Sequence, residues 1–131
     1  MILLDTPVLL WLLITPERLS RSASSAIRRA RLSDGIAIAD ITLFELAMFF
    51  ARDTVQFFGP LDAAVAKVLD SSAANVRPIT PQIAALAAQF PADFPRDPSD
   101  RLIGATARAE GMALVTRDER IRSSPLLNTI W

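Results

Sequence analysis

Short apolar segments alternate with segments of helical pattern along the whole of this 131-residue chain. Strands buried on both faces read as continuous apolar runs, and a helix between successive strands allows those strands to lie parallel. The alternation therefore predicts an α/β fold in which helices cover both faces of a mostly parallel sheet of about four to five strands. The predicted strands are Ile2 to Asp5, Ile36 to Ala39, Val76 to Ile79, Met112 to Val115 and, as a last edge strand, Asn128 to Trp131.

Helical segments lie between these strands, and the first of them carries a start signal. Thr6 and Pro7 read as an N-cap followed by proline at the first helical position. The predicted helices are Val8 to Ile14, Ser20 to Leu32, Thr42 to Ala51, Leu61 to Ser72, Pro81 to Phe90 and Ser99 to Glu110, with a short one from Asp118. In the fourth of these helices, the buried face is expected to carry Leu61, Val65, Val68 and Leu69. The length fits one domain, so we interpret residues 1–131 as a single domain.

Two missing residue types limit the chemistry that this chain can perform. The sequence contains neither cysteine nor histidine. Disulfides, thiolate metal sites, the usual zinc ligand and the commonest general base are therefore excluded. Catalysis would have to use carboxylates, hydroxyls, arginines or the single Lys67. Any bound metal would be a hard cation held by oxygen atoms.

Charge and hydropathy give weaker indications about partners and location. The net charge is zero, from 14 basic and 14 acidic side chains, so no overall basic field marks a nucleic-acid-binding protein. The apolar start, Met1 to Ile14, is too short to span a bilayer and has no basic residue in front of it. We therefore expect no membrane segment or signal peptide, and the lack of cysteine is compatible with a cytoplasmic protein.

Four acidic residues stand at positions that suggest an active site. In parallel sheets, ligands bind outside the carboxyl ends of the strands. Asp5 closes the first predicted strand, Asp118 follows soon after the fourth, and Asp100 opens the helix before that fourth strand. Glu45 lies in an almost entirely apolar segment. An unpaired carboxylate there would be costly, and a metal ion is one suitable partner.

Each of these acids also has a purely structural interpretation as part of a helix cap. The capping positions are Thr42-x-x-Glu45, Thr116-x-x-Glu119, Asp97 before Pro98 with Asp100 in the first turn, and Asp5 before Thr6. An acid in the first turn of a helix can also point into a crevice. The two interpretations are therefore compatible, and both stay open.

Four segments carry a family resemblance. They are Leu3-Leu4-Asp5-Thr6-x-Val8-Leu9-Leu10-Trp11, Thr42-x-x-Glu45, Asp97-Pro98-Ser99-Asp100-Arg101-Leu102-Ile103 with Ala105-Thr106-Ala107, and Leu114-Val115-Thr116-Arg117-Asp118. Together, in this order and spacing, they resemble the PIN-domain family, and within it the VapC-type toxins. Two positions depart from the family pattern: Pro7 stands where many relatives carry histidine, and Phe44 where tryptophan is frequent.

The resemblance implies a PIN-like three-layer α/β/α fold and hydrolysis of RNA phosphodiester bonds with Mg²⁺ or Mn²⁺. It places the family's acidic quartet on Asp5, Glu45, Asp100 and Asp118. We assign Asp5 and Asp100 as the direct metal ligands. Asp118 and Glu45 would hold water molecules of the ion or a second ion, and one of them could orient the attacking water.

Several further residues are candidates for supporting roles. Thr42 and Thr116 would each hydrogen-bond to an acid and fix its orientation, unless they serve as helix caps. The arginines next to the acids in sequence are candidates for contacts to RNA phosphates, with pairing to surface acids as the alternative. They are Arg96, Arg101, Arg117 and Arg120. A solvated helix face is expected instead for Arg28, Arg29 and Arg31.

The resemblance to VapC-type toxins also implies a VapB-type antitoxin whose tail wraps the toxin. Such a tail can place an arginine or lysine in the acidic pocket. The apolar residues available for docking are Val8 to Leu13 and those around Phe49, Phe50, Phe57 and Phe58, although we expect most of them to pack in the core. We also expect a homodimer. The alternative functions are a phosphohydrolase acting on another phosphoester such as DNA, and a PIN-like module that binds nucleic acid or protein without catalysis.

Overall fold

The computed structural model describes residues 1–52 and 59–131 of the chain. This part contains five β-strands and seven α-helices in the predicted alternation. The strands are β1 (Ile2–Leu4), β2 (Ile36–Ala39), β3 (Asn75–Arg77), β4 (Leu114–Val115) and β5 (Thr129–Ile130). The helices are α1 (Thr6–Ile14), α2 (Arg21–Arg31), α3 (Ile41–Ala51), α4 (Leu61–Ser72), α5 (Pro81–Gln89), α6 (Pro98–Ala109) and α7 (Glu119–Arg122), with a 3-10 turn at Pro16–Arg18.

The described strands form one parallel sheet in the order β3-β2-β1-β4-β5. In the central strand, Leu3 is in register with Ala37 of β2 and with Leu114 of β4. The strand order runs outward from β1 on one side and from β4 on the other, so the chain changes direction between these two strands. Ligands bind at such a switch point, outside the carboxyl ends of the strands. The predicted parallel sheet and its added edge strand are confirmed.

The sheet separates two apolar layers, as the α/β/α prediction requires. Leu3 and Leu114 point into a layer that contains Ile83 of α5 and Ile103 of α6. The next residues along the same strands, Leu4 and Val115, point the opposite way because strand side chains alternate between faces. They join a second layer formed with residues of α1, α2, α3 and α4. Helices therefore cover both faces of the sheet, and the prediction of three layers is confirmed.

The third strand ends earlier than the sequence predicted. β3 stops at Arg77 because Pro78 has no N–H to donate to a neighbouring strand. The backbone N–H of Ile79 donates instead to Oδ2 of Asp40 at 3.0 Å. Val76 is 37% exposed, which fits a strand at the edge of the sheet.

Three helix starts differ from the predicted ones. Thr6 is not an N-cap, because the carboxylate of Asp5 accepts the Val8 N–H at 3.0 Å and caps α1 itself. Thr42 lies inside α3, one residue after its start, and α7 is capped by Asp118 rather than by Thr116. Both capping-box interpretations are therefore wrong. The predicted cap of α6 is confirmed, since Asp97 accepts the Ser99 N–H at 2.8 Å.

Other predictions about burial have mixed outcomes. Leu61 is 46% exposed, because α4 buries the face of Ala64 and Val68 instead. The solvated face of α2 is confirmed, with exposed side chains at Arg28, Arg29 and Arg31. Phe57 and Phe58, expected near a docking surface, lie outside the described residues. No helix within residues 1–52 or 59–131 is long and apolar enough to cross a membrane.

Candidate active site

A cavity of about 380 Å³ opens at the carboxyl ends of β1 and β4, where the sheet topology predicts a ligand site. All four predicted acids line it: Asp5 from the end of β1, Glu45 from α3, Asp100 from the first turn of α6, and Asp118 from the start of α7. The remaining lining residues are Thr6, Pro7, Trp11, Ile103 and Arg117. The fold thus brings together carboxylates that are up to 113 positions apart in the sequence, from Asp5 to Asp118.

Asp5 is the most deeply buried of the four acids, with 8% of its surface exposed. The pKa of its carboxyl is raised to about 6, mainly by burial and to a smaller extent by the negative charges of Asp100 and Glu45. Hydrogen bonds from the Thr116 hydroxyl and the Val8 N–H oppose this rise by stabilising the charged form. The hydroxyl oxygen of Thr116 also accepts the backbone N–H of Asp118 at 3.1 Å. Thr116 therefore connects two of the four acids.

Glu45 is held by a buried pair of threonines. The Thr6 hydroxyl donates to Glu45 Oε1 at 2.6 Å, and the hydroxyl oxygens of Thr6 and Thr42 are hydrogen-bonded at 3.0 Å. Burial raises the pKa of the Glu45 carboxyl, while hydrogen bonds from Thr6 and Ser99 lower it. Thr42 therefore acts on Glu45 only through Thr6, one step further away than the sequence suggested.

Asp100 occupies a strongly negative position at the start of α6. Its carboxyl pKa is raised to about 6, first by burial and then by the charges of Asp97 and Asp118. The guanidinium of Arg120 opposes this rise. Asp97 caps the same helix, so its charge adds to the field of the site although it does not line the cavity.

Asp118 differs from the other three acids because an arginine is hydrogen-bonded to its carboxylate. Arg120 Nη2 lies 2.9 Å from Asp118 Oδ2, and Arg120 Nε donates to Asp118 Oδ1 at 3.2 Å. These contacts lower the pKa of the Asp118 carboxyl. The same Nη2 atom lies 3.9 Å from Oδ2 of Asp100. Arg120 therefore stands between two of the proposed metal-binding acids.

The other candidate arginines have different surroundings. Arg117 is exposed and lines the cavity, and Arg96 is exposed on the loop before α6. Arg101 faces the protein instead: its guanidinium donates to four backbone carbonyls, of Ala87, Phe90, Pro91 and Phe94, at 2.7 to 3.4 Å. These contacts use both terminal nitrogens of the guanidinium, so we expect Arg101 to hold the loop before α6 rather than to contact an RNA phosphate.

Replacing Arg101 by alanine should destabilise the protein by about 2–3 kcal/mol, because partly buried carbonyls would lose a charged donor. Urea denaturation measures this loss. Arg96→Ala, on the neighbouring loop, is the matched control and should change stability by less than about 0.5 kcal/mol. An Arg101→Ala protein of wild-type stability with weakened RNA binding would contradict this assignment and restore Arg101 as a phosphate contact.

Sequence reasoning overlooked the residues that hold Glu45. Thr6 was interpreted as a helix cap, and Ser99 was given no role. The available signal was the apolar segment around Glu45, which requires a polar partner for the carboxylate. Nothing in that segment indicates that the partner comes from α1.

The donor set fits a hard divalent cation in its chemistry. The four side chains offer only carboxylate oxygens, which Mg²⁺ and Mn²⁺ prefer, and the charges of Asp5 and Asp100 repel each other. Within residues 1–52 and 59–131, however, no three acidic side chains form a group that could already hold one metal ion together. Side-chain movement would have to accompany metal binding.

Comparison with protein families decides the classification. The PIN domain model matches residues 2–125. The chain belongs to the PIN-domain family. Ribonuclease VapC22 from Mycobacterium tuberculosis is 43% identical to this chain over 134 aligned positions that cover 99% of this chain and 98% of that protein.

Solved structures confirm the PIN-like fold at lower identity. VapBC2 from Rickettsia felis, bound to a DNA fragment from its promoter, has a chain that superposes with a TM-score of 0.72 at 19% identity, covering 98% of this chain and 97% of that one. VapBC-5 from Mycobacterium tuberculosis, a member of the VapBC family of toxin-antitoxin systems, gives a TM-score of 0.63 at 17% identity, covering 98% and 95%. At these identities the likeness concerns the fold alone.

Proposed function

We propose that this PIN-domain protein is a metal-dependent endoribonuclease and the toxin of a toxin-antitoxin pair. One observation carries the proposal: four carboxylates from four separate elements line a single cavity at the switch point of the sheet. The 43% identical relative over nearly the whole chain is named a ribonuclease. A binding module without catalysis has no need for four acids in one cavity, where each carboxylate repels the others.

We assign the metal to Asp5 and Asp100, with Glu45 and Asp118 on the flanking walls of the cavity. A divalent ion, Mg²⁺ or Mn²⁺, would stabilise the charge that develops on the phosphate and lower the pKa of an attacking water. Thr116 fixes the rotamer of Asp5, and Thr6 fixes that of Glu45. Glu45 is then suited to accept a hydrogen bond from that water, because its raised pKa makes it a better base than an exposed carboxylate.

The RNA strand would approach over the exposed rim of this cavity. Arg117 is placed to bind a phosphate next to the scissile one, since it lines the cavity and its side chain is exposed. Arg96 lies further out and would contact a more distant phosphate. A site distinguishes RNA from DNA by a contact to the 2′-hydroxyl of the ribose. Without such a contact, the same acids would also serve to cleave a DNA phosphodiester.

A second cavity offers a surface for the antitoxin. A groove of about 570 Å³ between α1 and α3 is continuous with the acidic cavity, because the two share Thr6, Pro7, Trp11 and Glu45. Its other lining residues are Leu10, Ile14, Thr15, Arg18, Met48, Phe49 and Arg52. Of the apolar residues considered for docking, Val8, Leu9 and Phe50 belong to the core, as expected for most of that set. We assign this groove to the apolar part of a VapB-type tail whose arginine or lysine would reach the acids.

An antitoxin encoded next to this chain should bind it and suppress RNA cleavage, and Ile14→Glu should weaken that binding at least about 10-fold by burying a charge in the groove. Ile14 lines the groove and is 49% exposed, so the substitution should leave the fold intact. Calorimetry or surface plasmon resonance on the purified pair measures the affinity.

The matched control is Leu32→Glu, because Leu32 is 85% exposed at the end of α2 and does not line the groove. It should bind the antitoxin as the wild type does. Equal weakening by both substitutions would place the antitoxin elsewhere, and a chain that no neighbouring gene product binds would count against the toxin role. A homodimer remains part of the proposal, and sedimentation of the isolated chain tests it.

A further inference from the structure

One cation, Arg120, lies at the edge of the acidic site and contacts two of its carboxylates. Arg120 is the second residue of α7, and its guanidinium forms a two-point contact with the carboxylate of Asp118, at 2.9 and 3.2 Å. Its Nη2 atom also lies 3.9 Å from Oδ2 of Asp100. The guanidinium therefore bridges acids that come from α6 and from the start of α7. Among the described residues, no other arginine forms an ion pair with these two acids.

The bridge is built so that the side chain can leave without disturbing the backbone. The Arg120 side chain is 68% exposed, and an ion pair this exposed is weak. The cap of α7 does not depend on it, because Asp118 Oδ1 accepts the backbone N–H of Arg120 at 2.9 Å in any case. The backbone of Asp118 is also held by its N–H, which donates a hydrogen bond to the Thr116 hydroxyl. The backbone that carries Asp118 would therefore keep its position when the guanidinium moves away.

A divalent cation bound to Asp100 would lie close to the Arg120 guanidinium, which is 3.9 Å from the same carboxylate. Two positive charges close to the same carboxylate oxygens repel each other, so only one can be held well at a time. Arg120 already compensates part of the negative charge of Asp100 and Asp118.

We propose that Arg120 is the internal counter-ion of the active site, and that it competes with the divalent cation for Asp100 and Asp118. The inference rests on the proposed function, because it takes these acids as the metal site. In this role Arg120 is a positioning residue that lowers the affinity of the site for a divalent cation when no RNA is bound. Its displaced guanidinium becomes available to the phosphates of bound RNA, which fits the suggestion from the sequence that Arg120 contacts the substrate.

The test is a titration of the full chain with Mn²⁺, followed by calorimetry, in the absence of RNA. Arg120→Ala should bind Mn²⁺ about two- to five-fold more tightly than the wild type, the range expected for the loss of a weak competing ion pair. Arg120→Lys keeps the charge and should stay close to the wild type. Arg122→Ala is the matched control: Arg122 lies on the same helix, pairs with Glu119 at 3.2 Å and should leave the affinity unchanged.

Unchanged or weaker Mn²⁺ binding by Arg120→Ala would overturn the inference, as would equal tightening by Arg122→Ala. The proposed function fails in a different way. If the wild type and Arg120→Ala bind Mn²⁺ equally and cleave RNA only when Mn²⁺ is present, the counter-ion role is wrong and the nuclease assignment stands. If neither protein binds Mn²⁺ or cleaves RNA, the metal site itself is wrong.

Discussion

Asp100→Asn should reduce RNA cleavage by at least about 100-fold, the scale on which a preorganised charged group in an active site acts. Asp100 lines the cavity, and its charge is felt by Asp5 and by Arg120. Asparagine keeps the size of the side chain but removes the anionic oxygen that a divalent cation requires. Cleavage of a labelled RNA, with the variant purified alongside the wild type, measures the loss.

Asp97→Asn is the matched control, three positions earlier on the same helix start. Its carboxylate caps α6 by accepting the Ser99 N–H at 2.8 Å, and asparagine caps about as well as aspartate. This variant should retain most of the activity. The reverse pattern, with Asp97→Asn inactive and Asp100→Asn active, would show that the two acids have been assigned to the wrong roles.

The same substitution should also change stability in a pH-dependent way when a chelator is present. The pKa of Asp100 is about 6 in the fold against an ordinary 3.8, so the folded protein favours the protonated form. At a pH below 3.8 Asp100 is protonated in both the folded and the unfolded chain and costs the fold nothing. As the pH rises through 6 the folded protein must hold the charged carboxylate in a buried, negative site, and its stability falls. Asp100→Asn should therefore be more stable than the wild type at pH 7.5, by on the order of 1–3 kcal/mol, and the gain should shrink towards pH 4.

The sheet could be predicted from the sequence because its strands are short apolar runs buried on both faces. Ile36 to Ala39 matches β2 to the residue. The predicted third strand began one residue and ended two residues too far along, since the pattern of Val76 and Ile79 outweighed the presence of Pro78. An edge strand has few buried side chains, so its sequence pattern constrains its ends only weakly.

The positions of the four acids could also be predicted, because the ends of parallel strands meet at one edge. The side chains that form hydrogen bonds with these acids could not be predicted. Thr6 and Glu45 are 39 residues apart, and only the packing of α1 against α3 brings the hydroxyl to 2.6 Å from the carboxylate. Arg101 stands next to Asp100 in sequence, yet the helical turn directs it towards the carbonyls of the preceding loop. Sequence proximity to an acid therefore does not indicate which way an arginine points.

Removal of divalent metal should abolish RNA cleavage altogether. The site contains no histidine or cysteine, and its four carboxylates cannot supply a positive charge to a developing phosphate oxyanion. Arg117 and Arg120 can bind phosphates, but a guanidinium does not lower the pKa of a water molecule as a divalent cation does. Activity should return when Mg²⁺ or Mn²⁺ is added in excess of the chelator.

The most direct measurement is therefore RNA cleavage by the purified chain in EDTA, then with Mn²⁺ or Mg²⁺ restored, with Asp100→Asn run in parallel from an identical preparation. The variant identifies any contaminating nuclease. We predict no cleavage in EDTA, recovery on addition of either metal, and at least about 100-fold less cleavage by Asp100→Asn than by the wild type when metal is present. Undiminished cleavage by the wild type in excess chelator, with Asp100→Asn still inactive, would contradict the metal site at Asp5, Glu45, Asp100 and Asp118.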